Sequence, residues 1–211
     1  ALRGRGSNLA AWLSARREPA AASPDEAIDE LARFVERPGE WTTLTHGDMA
    51  PSNTGRTVSG WRLLDFEYAG VRPALYDALL WTLFCPFPPD LIERADRAYR
   101  DTMAAGFPAA RDDATYVSAR ARVAAWRMLD LFHWQTPALL EADRVWAPNV
   151  GARGAILWHL ARFHPLARAA SSDPIVTAIA TTTAALERTL RARWGAPPDA
   201  AAVWPAFRDR L

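Results

Sequence analysis

Apolar residues recur at helical spacing over most of this chain, and the exception is one polar stretch around residues 41–72. Leu9-Ala10-Ala11-Trp12-Leu13 follows the capping-type pair Ser7-Asn8 and predicts a short helix. Small residues between Pro19 and Pro24 read as a linker. Ile28, Leu31, Phe34 and Val35 then share one face of a second helix. Ser23 is its expected N-cap, Pro24 its first position and Glu26 the residue three after the cap, and Pro38-Gly39 stops it. Trp41 to Thr45 predicts a strand that feeds the polar loop His46 to Asn53. Thr54–Val58 and Trp61–Phe66 flank Ser59-Gly60 as a hairpin. Everything after Pro73 reads as helix, in segments near 74–85, 89–105, 111–135, 150–164, 173–194 and 202–210. In the fifth, Ile175, Ile179, Leu186 and Leu190 keep one apolar face between Asp173-Pro174 and Gly195. No repeat is present.

Composition narrows the function classes. The 211 residues are 50% hydrophobic and 23% charged, an ordinary globular balance. A net charge of +1 excludes a polybasic nucleic-acid binder. All 25 basic residues are arginine, so any chemistry that needs a lysine ammonium is beyond this chain. The single cysteine, Cys85, rules out an internal disulfide and reads as a buried hydrophobe. No run approaches the roughly 20 apolar residues of a membrane span, and no secretory signal pattern is visible. The expectation is a cytoplasmic protein without membrane or nucleic-acid partners. Heavy use of Ala and Arg suggests a bacterial source.

Chemistry concentrates in Thr45-His46-Gly47-Asp48-Met49-Ala50-Pro51-Ser52-Asn53 and in Leu63-Leu64-Asp65-Phe66-Glu67. Asp48 alone also reads as a turn former. Together, though, a carboxylate, an amide and a second carboxylate on a loop and a hairpin end can converge. Phosphoryl transfer needs such a set: one group to accept the proton of the attacking hydroxyl, and oxygen ligands for a hard cation. Elsewhere, His159 and His164 are five residues apart, the wrong spacing for two ligands on one helical face. His133 beside Trp134 reads as helix-end packing. Gly4-Arg5-Gly6 matches no phosphate-binding loop.

His46-Gly47-Asp48 with Asn53, followed by Asp65-Phe66-Glu67, resembles the signature of the aminoglycoside phosphotransferase and choline kinase family, relatives of the protein kinases. The resemblance is specific from about Thr43 to Leu80 and general beyond it. It implies an α+β, predominantly α fold: the helical carboxy-terminal lobe of a kinase-like protein with a small β-hairpin at the catalytic loop. One domain over 1–211 is expected, with leading helices (1–40), catalytic loop and hairpin (41–72) and a helical substrate-side body (73–211). By position, the resemblance makes Asp48 the catalytic base, Asn53 and Asp65 the Mg²⁺ ligands, and Glu67 an indirect support of the metal. His46 and Asp77 brace the loop. The implied reaction moves the γ-phosphoryl group of ATP to a hydroxyl of a small-molecule acceptor.

The ten tryptophans divide between two uses, core packing and an acceptor pocket. The pocket version takes Trp126, Trp134 and Trp146 as aromatic walls for a cationic or sugar-like acceptor, with Asp130, Glu141 and Asp143 as charge partners. The family's amino-terminal lobe normally supplies a glycine-rich hairpin and a strand lysine to the nucleotide. Residues 1–45 encode neither, so the amino-terminal lobe is expected to be absent here and present in a longer parent chain. The alternative is a non-catalytic kinase-like binding or regulatory protein that retains the loop.

Overall fold

The computed structural model describes residues 9–13, 24–85, 87–135, 137–147 and 150–197, and is mostly helical with three small antiparallel sheets. Its helices are α1 (9–13), α2 (Asp25–Glu36), α3 (Tyr76–Leu79), α4 (Pro89–Met103), α5 (Asp113–Trp134), α6 (Ala152–Ala169) and α7 (Pro174–Trp194). The strands are β1 (Thr42–Thr45), β2 (Thr54–Thr57), β3 (Gly60–Leu63), β4 (Gly70–Pro73), β5 (Val145–Ala147) and β6 (Val150–Gly151).

The core forms around α5. From Val123 to Phe132 this helix is buried on every side, with Ala124, Trp126, Met128 and Leu129 at most 1% exposed. A helix buried all round belongs at the centre of its domain. α6 and α7 pack on it through Leu160, Phe163, Ile179 and Leu186, and α2 adds Ile28, Leu31 and Val35. α1 closes one end: the Trp12 indole N–H donates to the Gln135 carbonyl at 2.9 Å, and its ring meets Phe132 and Trp194 edge-on. Among the described residues, no helix is long and apolar enough to cross a membrane.

The β segment stands on this bundle. β2 and β3 form the expected hairpin, with Thr54 opposite Leu63 and Thr57 opposite Gly60. β1 pairs with β4, Thr42 opposite Pro73 and Thr45 opposite Gly70. β4 was not expected. It places both ends of the 46–69 excursion side by side.

Three expectations need correction. α2 starts at Asp25 with Pro24 as the preceding cap residue, one position later than the sequence suggests; Ser23 lies outside the described residues. The region after Pro73 is not all helix, because β5 and β6 pair, with Asp143 bracing the turn into α6 by accepting the Arg153 N–H at 3.1 Å. α6 does not stop before Pro165 but runs through it to Ala169. Buried Phe163 and Ala167 on either side hold the helix against α7, and that packing outweighs the backbone hydrogen bond a mid-helix proline removes. The expected helix at 202–210, the linker up to Pro24 and Gly4-Arg5-Gly6 lie outside the described residues, apart from Pro24 itself.

Candidate active site

The loop after β1 turns sharply at Gly47, whose φ of +86° few residues other than glycine adopt. A Cβ there would lie 2.2 Å from the Tyr68 carbonyl oxygen, so glycine is also required by the close approach of the turn that precedes β4. That turn is held by Arg72, whose Nη1 donates to the Tyr68 carbonyl at 2.9 Å and to Thr45 Oγ1 at 3.1 Å.

Asp77 clamps the start of the loop. The backbone N–H of His46 donates to its Oδ2 at 2.7 Å and that of Gly47 to its Oδ1 at 2.9 Å. Both oxygens of one carboxylate are thereby spent on successive amides, which fixes the direction in which the chain enters Asp48. His46 is 4% exposed and stacks at a tilt on Phe66, 4.5 Å between ring centres. Its Nε2 lies 2.7 Å from the Leu64 carbonyl, which can only accept, so Nε2 carries the proton. Nδ1 is then the acceptor, and the Asp48 N–H reaches it at 3.3 Å. One imidazole thus ties Asp48 to the residue before Asp65.

Asp48 and Asn53 are in contact. The Asn53 amide donates to the Asp48 carboxylate at 2.9 Å and to its backbone carbonyl at 3.0 Å. With both Nδ2 hydrogens committed, Oδ1 is the donor atom left for a cation, and the Ser52 hydroxyl reaches it at 3.3 Å. Asp65 arrives from the hairpin: the Leu64 N–H donates to the Asn53 carbonyl at 2.9 Å, so Asp65 begins one peptide away from Asn53. Asp65 is the only non-glycine residue among those described with positive φ, at 62°. A left-handed residue at a turn of this kind is a local cost kept where its side chain has a particular direction to hold. Asp48 and Asn53 are half-buried, and Asp65 and Glu67 are exposed. Among the described residues no three His, Cys, Asp or Glu side chains cluster as metal ligands, so a cation here would depend on the Asn53 amide as much as on carboxylates.

A cavity of about 460 Å³ adjoins the loop, with His46, Phe66, Asp77, Trp81 and Tyr99 in its wall.

The residues expected to line an acceptor pocket have different surroundings. Trp126 is 1% exposed and belongs to the core; Asp130 is 4% exposed and meets the Tyr76 hydroxyl at 3.3 Å. Glu141 pairs with Arg193 at 3.1 Å, and Asp143 accepts the N–H groups of Arg144 and Arg153. Trp134 is 62% exposed beside His133, and Trp146 is 40% exposed with its ring edge-on to His159. Sequence reasoning did not single out Arg72, Tyr76 or Arg127. Each has a partner 27 to 54 residues away, a distance at which no local spacing betrays the contact.

No curated protein matches the chain. The model of the APH phosphotransferase enzyme family matches residues 2–112, a span that takes in the loop, the hairpin and Asp77. With more than half its length matched, the chain belongs to the APH phosphotransferase family.

Proposed function

We propose that this chain is the catalytic, kinase-like lobe of an ATP-dependent phosphotransferase whose acceptor is a hydroxyl of a small molecule. The observation that carries the reading is the contact between Asp48 and Asn53 on a loop clamped by Asp77. Asp48 is the base: it accepts the hydroxyl proton as the oxygen attacks phosphorus, a role worth roughly 10²–10⁴-fold. Asn53 holds one side of that carboxylate, which limits the directions from which it can take the proton. Asn53 Oδ1 and Asp65 are oxygen donors of the kind Mg²⁺ prefers, and these two would hold it, with Glu67 supporting the site through water. Bound there, Mg²⁺ neutralises charge on the phosphate oxygens.

The nucleotide needs more than this. With no lysine in the sequence, we place the ammonium that pairs with the α- and β-phosphates on a nucleotide-holding lobe of a longer parent chain. Leu44, Trp61, Phe66 and Val71, between 56% and 74% exposed, give that lobe an apolar surface to cover. On the acceptor side, Trp146 keeps an open face. Trp146→Ala raises the acceptor KM and leaves the KM for ATP unchanged, as read from initial rates.

The deciding experiment uses the longer parent chain that carries the nucleotide-holding lobe and follows transfer from MgATP to a panel of aminoglycosides, choline and sugars by ³¹P NMR, with Asp48→Asn beside the native sequence. The expected result is a phosphorylated product whose rate falls about 10²–10⁴-fold in the variant at an unchanged thermal midpoint. No product and no MgATP binding would return the non-catalytic binding reading.

A further inference from the structure

Asp77 holds the loop, but α3 has only four residues before it widens into the π-helical turn Leu80–Phe84. So short a helix has no stability of its own. Its place must be set by side chains from elsewhere, and Tyr76 is where they reach it. Tyr76, the neighbour of Asp77, is 6% exposed. Its hydroxyl accepts a hydrogen bond from Arg127 Nη1 at 2.9 Å and donates to Asp130 Oδ2 at 3.3 Å. Arg127 and Asp130 sit three residues apart on α5, 3.6 Å from each other and almost wholly buried. The Arg127 guanidinium also lies 4.4 Å from the Tyr76 ring centre. The Arg72 guanidinium, which holds the turn before β4, lies 5.1 Å from the same ring.

The chemistry is consistent within itself. Burial raises the pKa of the Tyr76 hydroxyl, which keeps its proton and remains a donor to Asp130. Arg127 has Nε buried without a hydrogen-bond partner, a cost that a merely space-filling residue would not carry. Burying an arginine and a carboxylate beside a tyrosine stabilises little compared with apolar packing of equal volume. What the arrangement supplies is direction: the tyrosine is held at its tip by two groups of the rigid central helix and on its ring by two guanidinium groups.

We infer that Tyr76, Arg127 and Asp130 are positioning residues that set Asp77, and through it the His46 and Gly47 amides and the attitude of Asp48. The kinetic consequence rests on the phosphotransferase reading; the structural consequence does not. The test is therefore amide hydrogen exchange on the ¹⁵N-labelled full chain, run beside turnover. In Tyr76→Phe, which removes one oxygen, the His46 and Gly47 amides exchange roughly tenfold faster, the loss of about one hydrogen bond's worth of restraint. Amides of α5, α6 and α7 change by less than about twofold. Arg127→Met, the second variant, speeds the same two amides. Unchanged exchange at His46 and Gly47 in folded Tyr76→Phe overturns the inference, and so does an equal acceleration across α5–α7. Under turnover, Tyr76→Phe lowers kcat with the KM for MgATP unmoved. If the parent chain with its nucleotide-holding lobe transfers no phosphate, the phosphotransferase reading fails, and the exchange rates still decide the triad.

Discussion

Gly47 shows how one residue can be demanded twice. Its positive φ excludes most side chains, and the Tyr68 carbonyl occupies the place of a Cβ. Gly47→Ala is expected to lose about 2–4 kcal/mol, the left-handed penalty plus displacement of the turn before β4. Urea denaturation measures it, and the His46 ring resonances should shift because the amide clamp moves with the turn. The polar residues of the loop were legible in the sequence because their spacing is local: Asp48 and Asn53 meet across five residues and Asp65 ends the hairpin. Arg72, Tyr76 and Arg127 were not. Nothing in a run such as Ala124-Ala125-Trp126-Arg127-Met128 distinguishes a buried, working arginine from a solvated one.

Elements were readable where a cap or a long apolar face marked them. α7 is the clearest case, with Asp173 and Pro174 at its start and Gly195 at its end, as the sequence suggests. Asp173 does more than cap. Its Oδ1 accepts the N–H of Ile175 and Val176, and its Oδ2 accepts from Ser118 and Arg122, each at 2.6 Å. Burial works against the charged carboxylate, yet the hydrogen bonds from Arg122 and Ser118 hold its pKa below the ordinary value. A depressed carboxylate stabilises the fold fully above its unfolded pKa of about 3.9 and loses that contribution as pH falls through the lower folded value. Asp173→Ala is expected to cost about 2–4 kcal/mol at neutral pH and to weaken the acid dependence below about pH 4. Thermal melts at pH 7 and at pH 3 separate the two effects. The strands not expected lack the turn signal that marks β2 and β3: β4 is specified by its distant partner β1, and β5 and β6 hold three and two residues, too few for alternation to show.

For the whole molecule, acid should act through a histidine of α6. His159 is fully buried against Phe84 and Trp158, and burial, with Arg162 and Arg127 nearby, pushes its pKa down to about 3. The unfolded chain takes up that proton near pH 6.5. Between these values the unfolded state binds more protons, so stability is lost as pH falls from about 6.5 towards 3, by at most about 1.4 kcal/mol per pH unit for one group. His164 shares the direction, since burial lowers it while Glu187 opposes. His159→Leu should flatten the stability profile over that window, measured by urea midpoints at several pH values, and an unchanged slope would assign the sensitivity to His164. Composition alone could not have located this property, because four histidines in a sequence do not say which one loses all contact with water.

Arg162 leaves α6 to hold the segment that follows α3, donating to the carbonyls of Thr82, Cys85 and Phe87 while it lies over Trp158. Beneath it sits Cys85, 3% exposed, its thiol pushed by burial to about 12. In that state it does not react with alkylating reagents. Since the sequence has no second cysteine, each alkylation event records an exposure of Cys85. The protein carries a single-site stopwatch for the opening of the segment that follows α3, readable by mass without a mutation or knowledge of the acceptor.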